Sequence, residues 1–101
     1  MAEEKDIALG VLRLAAAHPS GLCTFKRAYK EIPMKVSLSS HNMSPSETRP
    51  GEPMWHQLVR NIKSHEKSPG NFIFDGYLTH IKGVGYKITP KGTASLGKAV
   101  R

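Results

Sequence analysis

The chain has 101 residues, of which 39% are hydrophobic and 23% charged, and it carries a formal net charge of +7. That length supports one small domain with one modest core. No stretch approaches the roughly 20 apolar residues of a membrane-crossing helix. The acidic start MAEEKD lacks the basic-then-apolar pattern of a secretory signal. A cytoplasmic protein with no membrane partner is therefore expected, and the lone Cys23, unable to form an internal disulfide, agrees with a reducing compartment.

The charge is unevenly distributed. Residues 1–52 hold 7 basic and 6 acidic side chains, whereas residues 53–101 hold 8 basic ones against Glu66 and Asp75 alone. A field of one sign over half a small domain attracts polyanions, nucleic acid first among them.

In chain order, residues 6–17 read as a first helix, with Ile7, Ala8, Val11, Leu12, Leu14 and Ala15 on one broad arc. His18-Pro19-Ser20-Gly21 stops it. A short extended piece, Gly21-Leu22-Cys23, leads to Thr24 as N-cap of a two-turn helix, FKRAYKEI, which Pro33 is expected to end. Residues 37–53, SLSSHNMSPSETRPGEP, form a long Ser- and Pro-rich loop, either a disordered spacer or a functional segment. Within it Ser44-Pro45-Ser46-Glu47 has the form of a capping box.

A third helix is expected over 53–66, entered through Pro53 and ended by Ser68-Pro69-Gly70. FIF (72–74) reads as a last helical turn or a strand start. Tyr77–Ile81 and Tyr86–Thr89 then read as strands of a hairpin turning at Lys82-Gly83-Val84-Gly85. Thr89-Pro90 starts a weak C-terminal helix with Leu96, Ala99 and Val100 on one side.

Helix, short strand, helix, loop, helix, hairpin, helix is the order of a winged helix-turn-helix, an α+β fold. The segment DGYLTHIKGVGYKITPKG (75–92) resembles the wing of small DNA-binding proteins of that class. SETRPGEPMWHQLVRNIKSH and GNFIFDGYL resemble the winged-helix domains that accompany restriction endonucleases, such as the N-terminal domain of Mrr-type enzymes. The resemblance covers nearly the whole chain and leaves no nuclease domain. It implies a transcriptional regulator or a restriction-associated module, with a nuclease, a regulatory protein or a second copy as further partners. The insertion Ser68-Pro69-Gly70-Asn71 before the Gly–Tyr–Leu strand departs from compact members and leaves the angle between helix and wing open.

A helical step of about 100° per residue divides the third helix into two faces. Met54, Trp55, Leu58, Val59 and Ile62 share an apolar arc, with His65 beside it as a hydrogen-bonded structural histidine. His56, Gln57, Arg60, Asn61, Lys63, Ser64 and Lys67 face outward, with no acid among them, Glu66 falling within the apolar arc. Such side chains suit duplex DNA, because Arg bonds guanine and Gln or Asn bonds adenine in bidentate fashion. Lys and Ser hold phosphate.

The expectation is double-stranded DNA binding with this helix in the major groove and His56, Gln57, Arg60 and Asn61 nearest the bases. Lys63, Ser64, Lys67, Arg49 and the wing's Lys82, Gly83, Gly85 and Lys87 would lie along the backbone. The alternatives are a protein-interaction or dimerisation module and, lower, an RNA binder using Tyr77 and Tyr86. No cofactor, metal or enzymatic activity is expected. No two histidines stand at i,i+4, one cysteine makes no zinc set, and nucleophile, P-loop and paired-carboxylate motifs are missing.

Overall fold

The computed structural model describes residues 2–99, without the side chains of Lys98 and Ala99. It is a small α+β domain of five helices and one three-stranded antiparallel sheet. The first helix, α1 (Glu4–Ala17), begins where the Asp6 carboxylate accepts the Glu3 backbone N–H at 2.8 Å. It buries Ile7, Ala8, Val11, Leu12, Leu14 and Ala15. This is the central helix: the second, fourth and fifth helices and the first and third strands all pack on it.

Strand β1 (Leu22–Thr24) hands over directly to α2 (Phe25–Lys35), whose N-cap Thr24 accepts the Arg27 N–H at 3.1 Å. Pro33 does not end α2; the helix runs one further turn, through Lys35. Proline removes one helical N–H and crowds the preceding turn, and here packing outweighs that cost. Ile32 and Val36 lie against Gly10 of α1, where any side chain's Cβ would come within 3 Å of both. Docking of those two residues on a glycine holds the extra turn in place.

The Ser- and Pro-rich segment is ordered. It forms a short helix, α3 (Ser40–Met43), capped by Ser39, whose hydroxyl accepts the Asn42 N–H. The Asn42 side chain is buried and clasps the backbone of Ala2, accepting its N–H at 2.9 Å and donating to its carbonyl at 3.0 Å. The capping box read at Ser44–Glu47 starts no helix: Ser44 is the C-cap of α3, and Pro45 bridges back to Pro53. Ser46 N–H to Glu52 carbonyl (2.7 Å) and Met54 N–H to Ser44 carbonyl (2.8 Å) close this loop onto the next helix.

That helix, α4, spans Trp55–Ser64, shorter at both ends than 53–66. Trp55, Val59 and Ile62 are its buried residues. The insertion after it is fixed by Asn71, 8% exposed, which donates to the Ile62 carbonyl and accepts the N–H groups of Ile73 and Phe74. FIF is thus a turn, not a strand. The hairpin is β2 (Leu78–Ile81) and β3 (Gly85–Ile88), and the sheet order is β1-β3-β2. Tyr86 pairs with Cys23 on one side and His80 on the other. Finally α5 (Pro90–Ala99) starts at Thr89, whose hydroxyl accepts the Gly92 N–H. Leu96 packs against the core, while the expected contribution of Ala99 and Val100 falls outside the described side chains.

The two turn glycines differ in kind. Gly83 is open to solvent, with φ +74°, whereas Gly85 is buried and a Cβ there would meet the Cys23 carbonyl oxygen at 2.2 Å. Gly85→Ala is expected to destabilise the domain by at least about 2–3 kcal/mol, through forced separation of β1 and β3. Gly83→Ala should cost only about 1 kcal/mol, the penalty of left-handed backbone. Urea denaturation of both variants measures the difference.

Candidate nucleic-acid interface

Four side chains of α4, Gln57, Arg60, Asn61 and Ser64, stand at i, i+3, i+4 and i+7 and so form one stripe. Gln57 and Ser64 are exposed, and Arg60 and Asn61 half-buried. The Ser64 hydroxyl turns back to the Arg60 carbonyl at 3.4 Å. Trp55 is 2% exposed and its indole N–H has no partner among the described residues, so it belongs to the core and offers no stacking surface.

The outward face is not free of acids. Glu52, from the loop before α4, accepts a hydrogen bond from Arg60 Nη1 at 2.9 Å and lies 4.0 Å from His56 Nδ1. Glu66 falls beyond the end of α4, outside the apolar arc assigned to it, and pairs with Lys63. Helical angles cannot reveal either contact, because both acids lie on non-helical backbone next to α4. His56 stacks on Tyr29 of α2, ring centroids 4.1 Å apart, with Trp55 edge-on at 4.5 Å. Burial alone would lower the Arg60 pKa; the Glu52 carboxylate, with Tyr29 nearby, outweighs that and raises it. His56 and Arg60 therefore brace α2 against α4 as well as bordering the exposed stripe.

His65 is hydrogen-bonded, as its position on the helix suggests, but it is exposed: its Nδ1 meets Glu4 at 2.6 Å and ties the end of α4 to the start of α1. Lys67, Arg49, Lys82, Gly83 and Lys87 are all exposed, and Gly85 alone of the expected contact residues is buried, so it shapes the wing without touching a partner. The two tyrosines weighed for RNA stacking are occupied. Tyr86 is fully buried, and Tyr77 sits edge-on to Phe72 with the Lys91 ammonium 5.3 Å from its ring centre. Cys23 is buried in β1, which pushes its thiol up to about 11 and leaves it a poor nucleophile.

The hairpin tip touches the start of α2 directly: the Val84 carbonyl accepts the Phe25 N–H at 2.9 Å. Lys82 belongs to that turn, Lys26 follows Phe25 in the first turn of α2 and Lys30 comes one turn later; all three are exposed. Lys26 and Lys30 were not among the expected contact residues. The signal was present, since both oppose the Phe25-Ala28-Tyr29-Ile32 arc, but only the tip's docking links them to the wing. No protein-family model, no curated protein and no solved structure matches the chain.

Burial lowers the pKa of His56, with Glu52 opposing and Arg60 adding to the shift; burial and Lys63 lower that of His80. Each ring binds its proton more weakly folded than unfolded, so folding stability is complete above about pH 6.5 and falls as pH drops through that value. Chemical denaturation between pH 7.5 and 5 should show this fall, and His56→Gln should make it shallower. An equal slope in the variant would contradict the assignment.

Proposed function

We propose that the chain is a winged-helix domain that binds double-stranded DNA, with α4 in the major groove and the β2–β3 hairpin as its wing, and that it has no enzymatic activity. The observation that carries this reading is the docking of the hairpin tip on the first turn of α2. It joins the turn that carries Lys82 to the helix that carries Lys26 and Lys30, and that helix meets α4, with its outward Gln57, Arg60, Asn61 and Ser64, through the Tyr29–His56 stack. The element order and the pairing of β1 with the second hairpin strand support it, being those expected of a winged helix.

In this binding mode Lys26, Lys30, Lys82, Lys87 and Lys67 hold phosphates, and Gln57 and Asn61 present amide groups to base edges. Asn61 and Gln57 also border a cleft that Glu3 and Glu4 enter, so that side of the stripe repels phosphate and marks its limit. Regulation of transcription and service beside a restriction enzyme are the two settings such a domain fits.

A second reading, a protein-interaction module, is favoured by one observation. Met34 and Met43, 70% and 53% exposed, flank a cleft of about 400 Å³ with Val36 and Leu38. Duplex titration separates the two. With about five phosphate contacts, log affinity against log salt should have a slope near −4 to −5, and Lys26→Ala/Lys82→Ala should flatten it by nearly 2. Indifference of duplex binding to salt and to this double variant would remove the DNA reading and leave the second.

A further inference from the structure

The stripe on α4 contains one cation that is already neutralised. Arg60 donates Nη1–H to Glu52 at 2.9 Å, and both side chains are only partly accessible, 24% and 29% exposed. A guanidinium has five N–H donors in a rigid fork. Among the described residues only Nη1 makes a side-chain hydrogen bond at bonding geometry, to Glu52, so neither Nε nor Nη2 is committed to a protein acceptor. Tyr29 of α2 also lies close to the guanidinium and stacks on His56.

These facts decide what Arg60 can bind. A phosphate gains from a net positive charge, and the Glu52 carboxylate beside Arg60 cancels that gain and repels the phosphate. A base edge is uncharged and needs aligned donors. Guanine O6 and N7 are two acceptors spaced for a parallel pair of N–H groups. An acidic neighbour that fixes the fork's direction lowers the cost of ordering a flexible side chain on binding.

We propose that Glu52 is a positioning residue that turns Arg60 from a phosphate contact into a reader of guanine on duplex DNA. This rests on the DNA-binding reading above and assigns it a base preference. Glu52 lies in the loop closed by the Pro45–Pro53 bridge, so the long segment before α4 serves to deliver this carboxylate.

The test selects from a randomised duplex library with wild type, Glu52→Gln and Arg60→Lys, using the whole chain. The affinity for the selected duplex is then compared with that for the same duplex carrying 7-deazaguanine. Wild type should select a fixed guanine and lose roughly tenfold or more on removal of its N7, in line with one bidentate contact. Glu52→Gln and Arg60→Lys should lose that preference to within about twofold. Glu52→Gln should also bind random duplex at least as tightly, with a salt slope steeper by up to about 0.9 as Arg60 turns to phosphate.

Arg60→Lys keeps the charge and a partner for Glu52, so it tests the fork even where Glu52→Gln perturbs folding. Thermal melting of each variant monitors that perturbation. A Glu52→Gln protein that melts earlier yet keeps the wild-type guanine preference would show a purely structural brace and overturn the proposal. Wild-type binding with no fixed guanine would overturn it as well. Absence of salt-sensitive duplex binding in every variant, wild type included, would instead bring down the DNA reading beneath it.

Discussion

One buried phenol fixes the geometry on which everything else depends. Tyr86, fully buried in the middle strand β3, donates its hydroxyl proton to the Val59 carbonyl of α4 at 2.6 Å. A buried hydroxyl without an acceptor would cost roughly 1–3 kcal/mol, so the sheet and α4 are bound to one relative position. The same ring meets Phe25 edge-on at a centroid distance of 5.5 Å, and burial raises its pKa, keeping it a donor at any working pH. Because the Phe25 N–H is held by the hairpin tip, α2, α4 and the β2–β3 hairpin converge on a single residue. The distance between the helix stripe and the wing is thus set before any partner arrives, and binding need not pay to arrange it.

Charge follows the same frame. The surplus in the second half of the chain is not spread evenly over α4: Arg60 is compensated by Glu52 and Lys63 by Glu66. Among the described residues, Lys26, Lys30, Lys67, Lys82 and Lys87 make no ion pair with a carboxylate, and all are exposed. In the proposed binding mode this separates labour by position. Uncompensated lysines on α2, on the hairpin and just after α4 carry the long-range attraction, while the stripe itself offers donors and acceptors of low net charge. Phosphate contacts then set register, and the stripe discriminates among base edges.

Much of this was legible in the sequence, for identifiable reasons. The buried set of α4 follows from helical periodicity, since Trp55, Val59 and Ile62 are one face whatever the partner. The Gly83–Gly85 hairpin and the Thr89-Pro90 helix start are local signals that do not depend on distant residues. What escaped depends on contacts across the chain. Pro33 ends a helix by local chemistry, yet α2 continues because Val36 has a glycine of α1 to dock on. Residues 37–53 look like a spacer by composition. A single asparagine, Asn42, buried against Ala2 forty positions away, gives them structure. Glu52 joins the stripe only through that loop's closure, and for this reason the face looked acid-free.

In the proposed binding mode the α4 stripe, the hairpin tip and the first turn of α2 form one DNA-facing surface. Amide chemical-shift mapping of the isotopically labelled chain, titrated with a short duplex at low salt, tests it most directly. Perturbations should concentrate at Lys26–Lys30, Gln57–Ser64 and Lys82–Val84 and spare Pro33–Met43. Perturbations centred on Met34 and Met43, or none at any duplex concentration, would contradict it.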